Sequence, residues 1–346
     1  MASKAYVFAE DVVLGFPTAG EYPTSWTPEA PTVSATPVTF EGVWGGLTGC
    51  ELPDGRGLLM WVQSGGNVNV RCAVQPTPAS WLTDSFVDSG DTATIITTSQ
   101  ACSAVCYVID DEVYATVSEP LQCQIFKADD PADPVAGGWS LHGTLDFGTG
   151  TNAPFGAENQ VASVPIVTSG GDWSIVQGYS AQYYFGASPT GFPRYSWAHV
   201  TSSDDGVTWT RQNGDVNDNL YSDIFECRQT VEDPSGNINF SFGRDVSANA
   251  TFYATPAVGG TLTSAVGGVE LPVAIIRNAA DEMYAIDRSD NFRLRINDGV
   301  PYTDWTDTGV SWTGGLIGTA NTPYKLFVLA TSIGRRWWLG VAGWSG

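Results

Sequence analysis

Short hydrophobic segments recur along this chain, and turn-forming residues separate them. Many segments alternate hydrophobic and polar residues, and long runs with a helical period are nearly absent, so the pattern predicts an all-β protein. Within each repeat an apolar strand a is followed by a polar turn and then by strands b, c and d. The predicted a strands are 47–52, 104–109, 162–168, 224–231, 273–277 and 325–330; the b strands are 57–62, 112–117, 173–176, 237–242, 283–286 and 337–342; the c strands are 5–13, 68–74, 122–127, 195–201, 251–255 and 292–296.

Most predicted d strands open with a tryptophan that follows a turn-rich stretch. The residues at this position are Trp26, Trp81, Trp139, Trp209, Leu262 and Trp305. The repeats have the size of a four-stranded propeller blade. The pattern therefore predicts a six-bladed β-propeller in which residues 1–346 form a single domain.

The two ends of the chain complement each other in this pattern. The chain ends after a strand b and begins with a strand c, so the sixth predicted blade is split between the termini. Pairing of the N-terminal strand with the C-terminal strand would close the ring and leave no exposed sheet edge. Five or seven blades would require that one repeat be misread. A pair of β-sandwich domains is the main structural alternative, and the complementary ends argue against it.

One turn carries a complete motif, Ser202-Ser203-Asp204-Asp205-Gly206-Val207-Thr208-Trp209. Its fixed positions follow the pattern Ser-x-Asp-x-Gly-x-Thr-Trp and are Ser202, Asp204, Gly206, Thr208 and Trp209. Asp204 can accept hydrogen bonds from backbone N–H groups inside the turn, and Gly206 can supply a positive φ. The motif resembles the Asp box of sialidase-like β-propellers. That resemblance implies a propeller fold, and it implies that the box is a folding element rather than a catalytic one.

Propeller topology sorts the connections between strands onto two faces. The a–b and c–d turns, including the box, lie on one face, and the b–c and d–a connections lie on the other face, where ligands usually bind. The longest b–c connection is 177–194, and it is rich in aromatic residues that could stack on sugars. Arg194 could pair with a carboxylate. The candidate ligand-binding residues are Tyr179, Tyr183, Tyr184, Phe185, Phe192, Arg194 and Tyr195. Packing of these aromatics on the edge of the blade is the alternative.

The charge of the chain excludes several classes of partner. The 37 acidic and 15 basic residues give a formal net charge of −22. This argues against nucleic-acid binding and against docking on anionic lipid. The sequence has no apolar run long enough for membrane insertion and no secretory signal at its start.

The cysteines do not have the spacing of a metal site. They are Cys50, Cys72, Cys102, Cys106, Cys123 and Cys227, and none forms a Cys-x-x-Cys pair. Zinc binding is therefore not expected, and buried free thiols are. The sequence shows no phosphate-binding glycine loop and no EF-hand loop, so we expect neither a metal nor a cofactor.

The chemistry of a sialidase is hard to find in this sequence. The family resemblance implies an arginine cluster that grips a sugar carboxylate, a Tyr–Glu nucleophile pair and an Asp acid. The first blade of such enzymes carries a Phe/Tyr-Arg-Ile-Pro motif, which is missing here, and Arg56 lies in a predicted a–b turn on the opposite face. Spacing alone does not assemble a triad from Arg228, Arg244, Arg277 and Arg288. We expect His142 and His199 to be packed strand residues. These observations favour a protein that is not an enzyme.

An acidic propeller without an evident active site is similar to virion components of tailed bacteriophages, such as tail-tip or fibre-associated propellers. This resemblance implies a non-enzymatic structural or receptor-binding protein of the virion, assembled in the host cytoplasm. Its partners would be other tail proteins and a host-surface glycan. Two alternatives stay open: a sialidase-like glycoside hydrolase with a diverged active site, and a propeller that acts as a protein-interaction scaffold.

Overall fold

The fold consists of β-strands. The structure is a computed structural model. It describes residues 3–10, 48–64, 68–74, 92–98, 103–118, 123–145, 157–162, 165–182, 193–215, 230–232, 236, 238–242, 251–255, 263–265, 272–277, 283–287, 293–297, 306–309, 325–330 and 337–344. All regular elements in these ranges are strands and none is a helix, so the all-β prediction is confirmed for them.

The described strands form six antiparallel sheets, and within sheets 1 to 5 the order of strands follows the chain. The first strand of the chain is β1 (Ser3–Glu10). Sheet 1 contains β2 (Thr48–Glu51), β3 (Gly57–Ser64), β4 (Val68–Val74) and β5 (Thr92–Thr98); sheet 2 contains β6 (Ser103–Ile109), β7 (Glu112–Ser118), β8 (Cys123–Ala128) and β9 (Trp139–Leu145); sheet 3 contains β10 (Ala157–Ala162), β11 (Ile166–Val167), β12 (Trp173–Gln182), β13 (Pro193–Ser202) and β14 (Thr210–Asp215); sheet 4 contains β15 (Thr230–Glu232), β16 (Ile238–Phe242), β17 (Thr251–Thr255) and β18 (Thr263–Ala265); sheet 5 contains β19 (Pro272–Arg277), β20 (Met283–Asp287), β21 (Arg293–Asn297) and β22 (Thr306–Asp307); sheet 6 contains β1, β23 (Lys325–Ala330) and β24 (Trp337–Trp344).

Neighbouring sheets meet mainly through their first strands. β2 contacts β6, β6 contacts β10, β11 contacts β15, β15 contacts β19, β19 contacts β23, and β23 contacts β2. In sheet 6 the two ends of the chain pair: β1 runs antiparallel to β24, from Ser3 opposite Trp344 to Glu10 opposite Trp337.

Several strand boundaries differ from those predicted. β12 and β13 are each 10 residues long, so both ends of the predicted 177–194 loop belong to strands. The first strand of sheet 3 is split into β10 and β11, with Pro165 just before β11. Proline has no N–H group to continue a strand ladder, which accounts for the break.

The tryptophan rule predicts some d strands better than others. Trp139 opens β9, and Trp209 directly precedes β14. The fourth strand of sheet 1, however, starts at Thr92, well after Trp81. The β-branched residues of Thr92–Thr98 suit a strand better than the residues around Trp81 do. The positions Trp26, Trp81, Leu262 and Trp305 lie outside the described residues.

Apolar side chains between the sheets form two described cores. Core A lies between sheets 1 and 2 and includes Leu58, Met60 and Val113. Core B joins sheets 2 and 3 and includes Ile125, Trp173, Ile175 and Val200, with the half-buried Trp209 packed against it. The described cysteines, Cys50, Cys72, Cys106 and Cys123, are free and buried as predicted. Burial raises the pKa of the Cys72 thiol to about 12.

Candidate functional site

The Asp box forms a turn between β13 and β14 that is closed by hydrogen bonds to Asp204. The N–H of Thr208 donates to Asp204 Oδ1 over 2.8 Å, and the Thr208 hydroxyl donates to Oδ2 over 2.6 Å. The Ser202 hydroxyl also donates to Oδ1, over 2.7 Å. Hydrogen bonds to the charged carboxylate favour its ionised form, with those from Thr208 contributing most, and they lower the pKa of Asp204 to about 2.

The other fixed positions of the box complete the turn. Ser202 is buried, and its hydroxyl oxygen accepts a hydrogen bond from the N–H of Gly206 over 2.9 Å. The Trp209 indole N–H donates to the carbonyl of Gly206 over 2.9 Å, so the ring folds back over the turn. Gly206 has a φ of 84°, and Asp205 a φ of 56°. These contacts close the turn, and the role of the box as a folding element rather than a catalytic one stays a prediction.

The box also packs against sheet 2, which the sequence did not indicate. The His142 ring, on β9, donates a hydrogen bond from Nε2 to the carbonyl of Asp205 over 2.7 Å. A Cβ on Gly206 would lie 2.7 Å from the ring of Trp173, and a Cβ on Gly143 would lie 2.2 Å from the carbonyl oxygen of Gly206. Close packing therefore requires a glycine at both positions, and the turn conformation also requires one at Gly206.

An aromatic cluster surrounds this contact. The rings of Tyr114 and Trp173 meet edge to face with centroids 5.0 Å apart, and those of Tyr114 and His142 do so at 5.2 Å. Lys127 Nζ lies 5.9 Å from the centroid of the Tyr114 ring. Burial, followed by the carboxylates of Glu112 and Asp205, raises the pKa of Tyr114 to about 12, so its phenol stays neutral.

We use the term box end for the end of the sheets that carries the β2–β3, β6–β7, β8–β9, β11–β12 and β13–β14 turns. Polar contacts join neighbouring sheets here. The Arg56 guanidinium donates to the carbonyl of Ala132, which links sheet 1 to sheet 2. His142 links sheet 2 to sheet 3. Ser169 donates from its N–H and its hydroxyl to the Glu232 carboxylate, over 2.8 and 3.0 Å, and links sheet 3 to sheet 4. At the box end, hydrogen bonds therefore join sheets 1 to 4 in succession.

Three of the predicted ligand-binding residues are described, and they belong to the opposite end of sheet 3. Tyr179 lies on β12, and Arg194 and Tyr195 lie on β13. Register places Tyr179 opposite Ser196, and Arg194 opposite Ala181. Since directly paired residues share a face and successive residues alternate, Tyr179 and Arg194 occupy positions on one face and Tyr195 a position on the other. Tyr183, Tyr184, Phe185 and Phe192 lie outside the described residues, and ligand binding by all seven stays a prediction.

A bulge marks the same end of sheet 3. The register of β10 against β12 shifts between Ala157 and Asn159, so Glu158 is the extra residue. Bulges are frequent next to active sites, where they redirect a side chain. Register also brings Ala157 opposite Ala181, whose other partner is Arg194. An acidic position and a basic position therefore lie on nearby rungs. No sequence pattern distinguished Glu158 from the other acidic residues, because only the register reveals the bulge.

The described residues contain no arrangement typical of a metal centre. Over these ranges no group of three or more His, Cys, Asp or Glu side chains could hold a metal ion. The described part of the chain also lacks any helix with the length and hydrophobicity needed to cross a bilayer.

Comparison with known proteins shows the fold. The sequence matches no known family model and no curated protein. A sialidase of Trypanosoma rangeli, in complex with the inhibitor DANA, is 12% identical with a TM-score of 0.50, and the match covers 91% of this chain but only 56% of that chain. The α-L-arabinofuranosidase Arb93A of Fusarium graminearum, in complex with an iminosugar inhibitor, is 10% identical with a TM-score of 0.48 over 86% of this chain and 92% of that chain. The chain has a sialidase-like β-propeller fold.

The preferred prediction for function, a non-enzymatic receptor-binding protein of a tailed-phage virion, is wrong. The fold is shared with a glycoside hydrolase, which favours the sialidase-like alternative and gives no support to a virion or tail protein. The prediction depended on the acidic charge and on the lack of an evident active site, for which the missing Phe/Tyr-Arg-Ile-Pro motif was one reason. At 12% identity a fold persists after a local motif has diverged, so the missing motif did not argue against an enzyme fold.

Proposed function

We propose that this chain is a six-bladed, ring-closed β-propeller that acts as a sialidase-like glycoside hydrolase with a diverged active site. The active site lies at the end of the sheets opposite the box end. The likeness of fold to the Trypanosoma rangeli sialidase, over 91% of this chain, is the observation that carries the proposal.

Contacts between the sheets support a closed ring of six blades. Each sheet contacts the next through first strands, and the contact between β23 and β2 brings sheet 6 back to sheet 1. The pairing of β1 with β24 gives sheet 6 a strand from each end of the chain. This arrangement completes sheet 6 from both ends of the chain and leaves each sheet only the short edges typical of a propeller.

The division of the molecule into two ends supports the location of the active site. At the box end, side chains of sheets 1 to 4 are used to tie neighbouring sheets together. At the opposite end, β12 and β13 extend to Gln182 and Pro193, and Glu158, Tyr179 and Arg194 occupy nearby positions.

These residue types suit the chemistry of glycoside hydrolysis. A carboxyl group is needed to protonate the leaving oxygen or to activate the attacking group. A guanidinium can bind the carboxylate of an acidic sugar with two parallel hydrogen bonds. An aromatic ring can cover an apolar face of the sugar. We assign Glu158 as a candidate catalytic carboxylate and Arg194 as a candidate for substrate binding.

The test is hydrolysis by the purified chain. A panel of fluorogenic glycosides that includes sialosides, together with sialylated oligosaccharides, is incubated with the protein, and released sugar is measured. We expect release from at least one acidic glycoside. The variant Glu158→Gln should abolish turnover, whereas Asp205→Asn, an acid-to-amide change at the box end, should leave it intact.

The possible outcomes separate the two parts of the proposal. No release from any substrate would contradict a glycoside hydrolase. Release that survives Glu158→Gln would reject only the assignment of that residue. β14 ends and β15 begins at the same end of the sheets, and the sequence between them contains Asp218, Asp223 and Glu226. Acid-to-amide variants of these residues would then be assayed next.

A further inference from the structure

A serine and a histidine form a sealed pair inside sheet 3. Ser174 on β12 and His199 on β13 share a hydrogen bond between Oγ and Nε2, which lie 2.7 Å apart. Ser174 has no exposed surface, and His199 is 3% exposed. The other ring nitrogen of His199, Nδ1, is buried and has no hydrogen-bond partner among the described residues. Solvent and substrate do not reach this pair, so it is not a catalytic dyad.

The pair lies on the face of sheet 3 that is turned away from sheet 2. Ile175 and Val200 are directly paired and both belong to core B, on the side of sheet 2. Ser174 and His199 occupy the alternate positions of the same two strands and therefore lie on the other face. Sheet 3 meets sheet 4 through β11 and β15, so this face is turned toward sheet 4.

Among the side chains that the structure describes, no charged group is bonded to His199, whose bonded partner is Ser174. Among the described side chains, Asp172 lies in the exposed turn before β12, and the Glu232 carboxylate on β15 is bonded to Ser169. On β14, Arg211 is paired with Val200, and Asp215 is paired with Trp197. Burial lowers the pKa of His199 to about 4.

A proton on the imidazole would create two problems at once. Both ring nitrogens would then be donors, and Nδ1–H would have no acceptor in the part of the chain that the structure describes. The ring would also carry a buried, unpaired charge, which is costly in an apolar environment. The unfolded chain takes up this proton near the ordinary histidine pKa of 6.5, whereas the folded chain resists until about pH 4. Stability from this residue is therefore complete above about pH 6.5 and is lost as the pH falls toward 4.

We infer that the Ser174–His199 pair is an acid-sensitive joint in sheet 3, and that protonation of His199 loosens β12 and β13 where they face sheet 4. The proposed active site lies at one end of β12 and β13, so it shares these two strands with the Ser174–His199 pair. Acid would therefore loosen this sheet before it affects sheets 1 and 2. This inference does not depend on the proposed hydrolase activity.

The first experiment compares the chain's two histidines. Urea unfolding is measured at about pH 7 and about pH 4.5 for the native chain, for His199→Gln and for the control His142→Gln. The unfolding constant of the native chain should rise roughly a hundredfold more over this interval than that of His199→Gln. His142→Gln should keep the native pH dependence. The same pH dependence in the native chain and in His199→Gln would overturn the inference.

The second experiment needs no substitution at His199. Imidazole signals of the native chain are followed by NMR, with His142→Gln used for assignment, and amide hydrogen exchange is measured at both pH values with correction for the intrinsic rate. The His199 ring should stay neutral down to about pH 4.5, and β12 and β13 should lose protection earlier than β6 and β7. Titration of His199 near pH 6.5 without loss of protection, or uniform loss across all four strands, would overturn the inference.

Discussion

His142 Nε2 lies 2.7 Å from the main-chain carbonyl oxygen of Asp205, and the hydrogen bond between them joins sheet 2 to the Asp box of sheet 3. The box therefore serves two functions: it closes its own hairpin, and it offers a carbonyl group to the neighbouring sheet. Because the acceptor belongs to the main chain, the contact depends on the turn conformation and not on the side chain of Asp205.

Removing the donor should weaken this joint. We expect His142→Leu to lower the free energy of unfolding by about 1 kcal/mol, the typical value of a neutral hydrogen bond. Leu141→Ala is the matched control, since Leu141 is the adjacent residue of β9 and its side chain is 57% exposed. Urea unfolding at neutral pH measures both. Equal stability of His142→Leu and the native chain would show that the contact contributes nothing.

Gly143 is the position where sheet 2 approaches the box most closely. We expect Gly143→Ala to destabilise the fold by about 1–3 kcal/mol, because the new methyl group would meet the Gly206 carbonyl and force β9 away from the turn. Thr144→Ala, at the next and exposed position of β9, should have little effect. Thermal unfolding of the two variants, checked by circular dichroism, tests this. A native-like stability of Gly143→Ala would mean that the sheets have room to move apart.

Local patterns predicted much of the fold. The all-β class, the box turn and the position of most inner strands could be found in the sequence because short apolar segments alternate with turn residues. β4 and β17, for example, have the predicted limits. The extent of β12 and β13 was not predicted, because aromatic residues next to glycine and serine suit both a loop and a long hairpin.

The candidate site could be predicted only in part. Composition identified the β12–β13 region, but the separation of Tyr179 and Arg194 from Tyr195 onto two faces depends on register. The bulge at Glu158 and the burial of the Ser174–His199 pair are likewise consequences of pairing between strands that are distant in sequence. A hydrophobicity pattern does not contain that information.

The aromatic residues that follow β12 provide a test of ligand binding. We expect the triple variant Tyr183→Ala, Tyr184→Ala, Phe185→Ala to raise the KM for an acidic glycoside at least tenfold while the melting temperature stays nearly unchanged. The reason is that stacking on a sugar stabilises the complex and not the free fold. Tyr107→Ala is the control for a residue that is packed in the core. Because Tyr107 is buried in core B, this substitution should lower the melting temperature. A large loss of stability in the triple variant would mean that the three residues are packed.

The carboxylate of Asp204 makes the stability of the box depend on pH in acid. Its pKa is lowered to about 2 in the folded chain, against an ordinary value of 3.8, chiefly by hydrogen bonds from Thr208 and Ser202. A lowered folded-state pKa means that the unfolded chain takes up the proton first, so the contribution of Asp204 is complete above about pH 4 and is lost as the pH falls toward 2.

Asp204→Asn should therefore be less stable than the native chain near neutral pH, and the difference should shrink as the pH falls from about 4 to about 2. Asp205→Asn is the control: asparagine tolerates the positive φ of this position, and the Asp205 carbonyl that His142 binds is kept. Urea unfolding at a series of pH values measures both variants. If the difference between Asp204→Asn and the native chain stayed constant down to pH 2, the ionised carboxylate would not be what closes the turn.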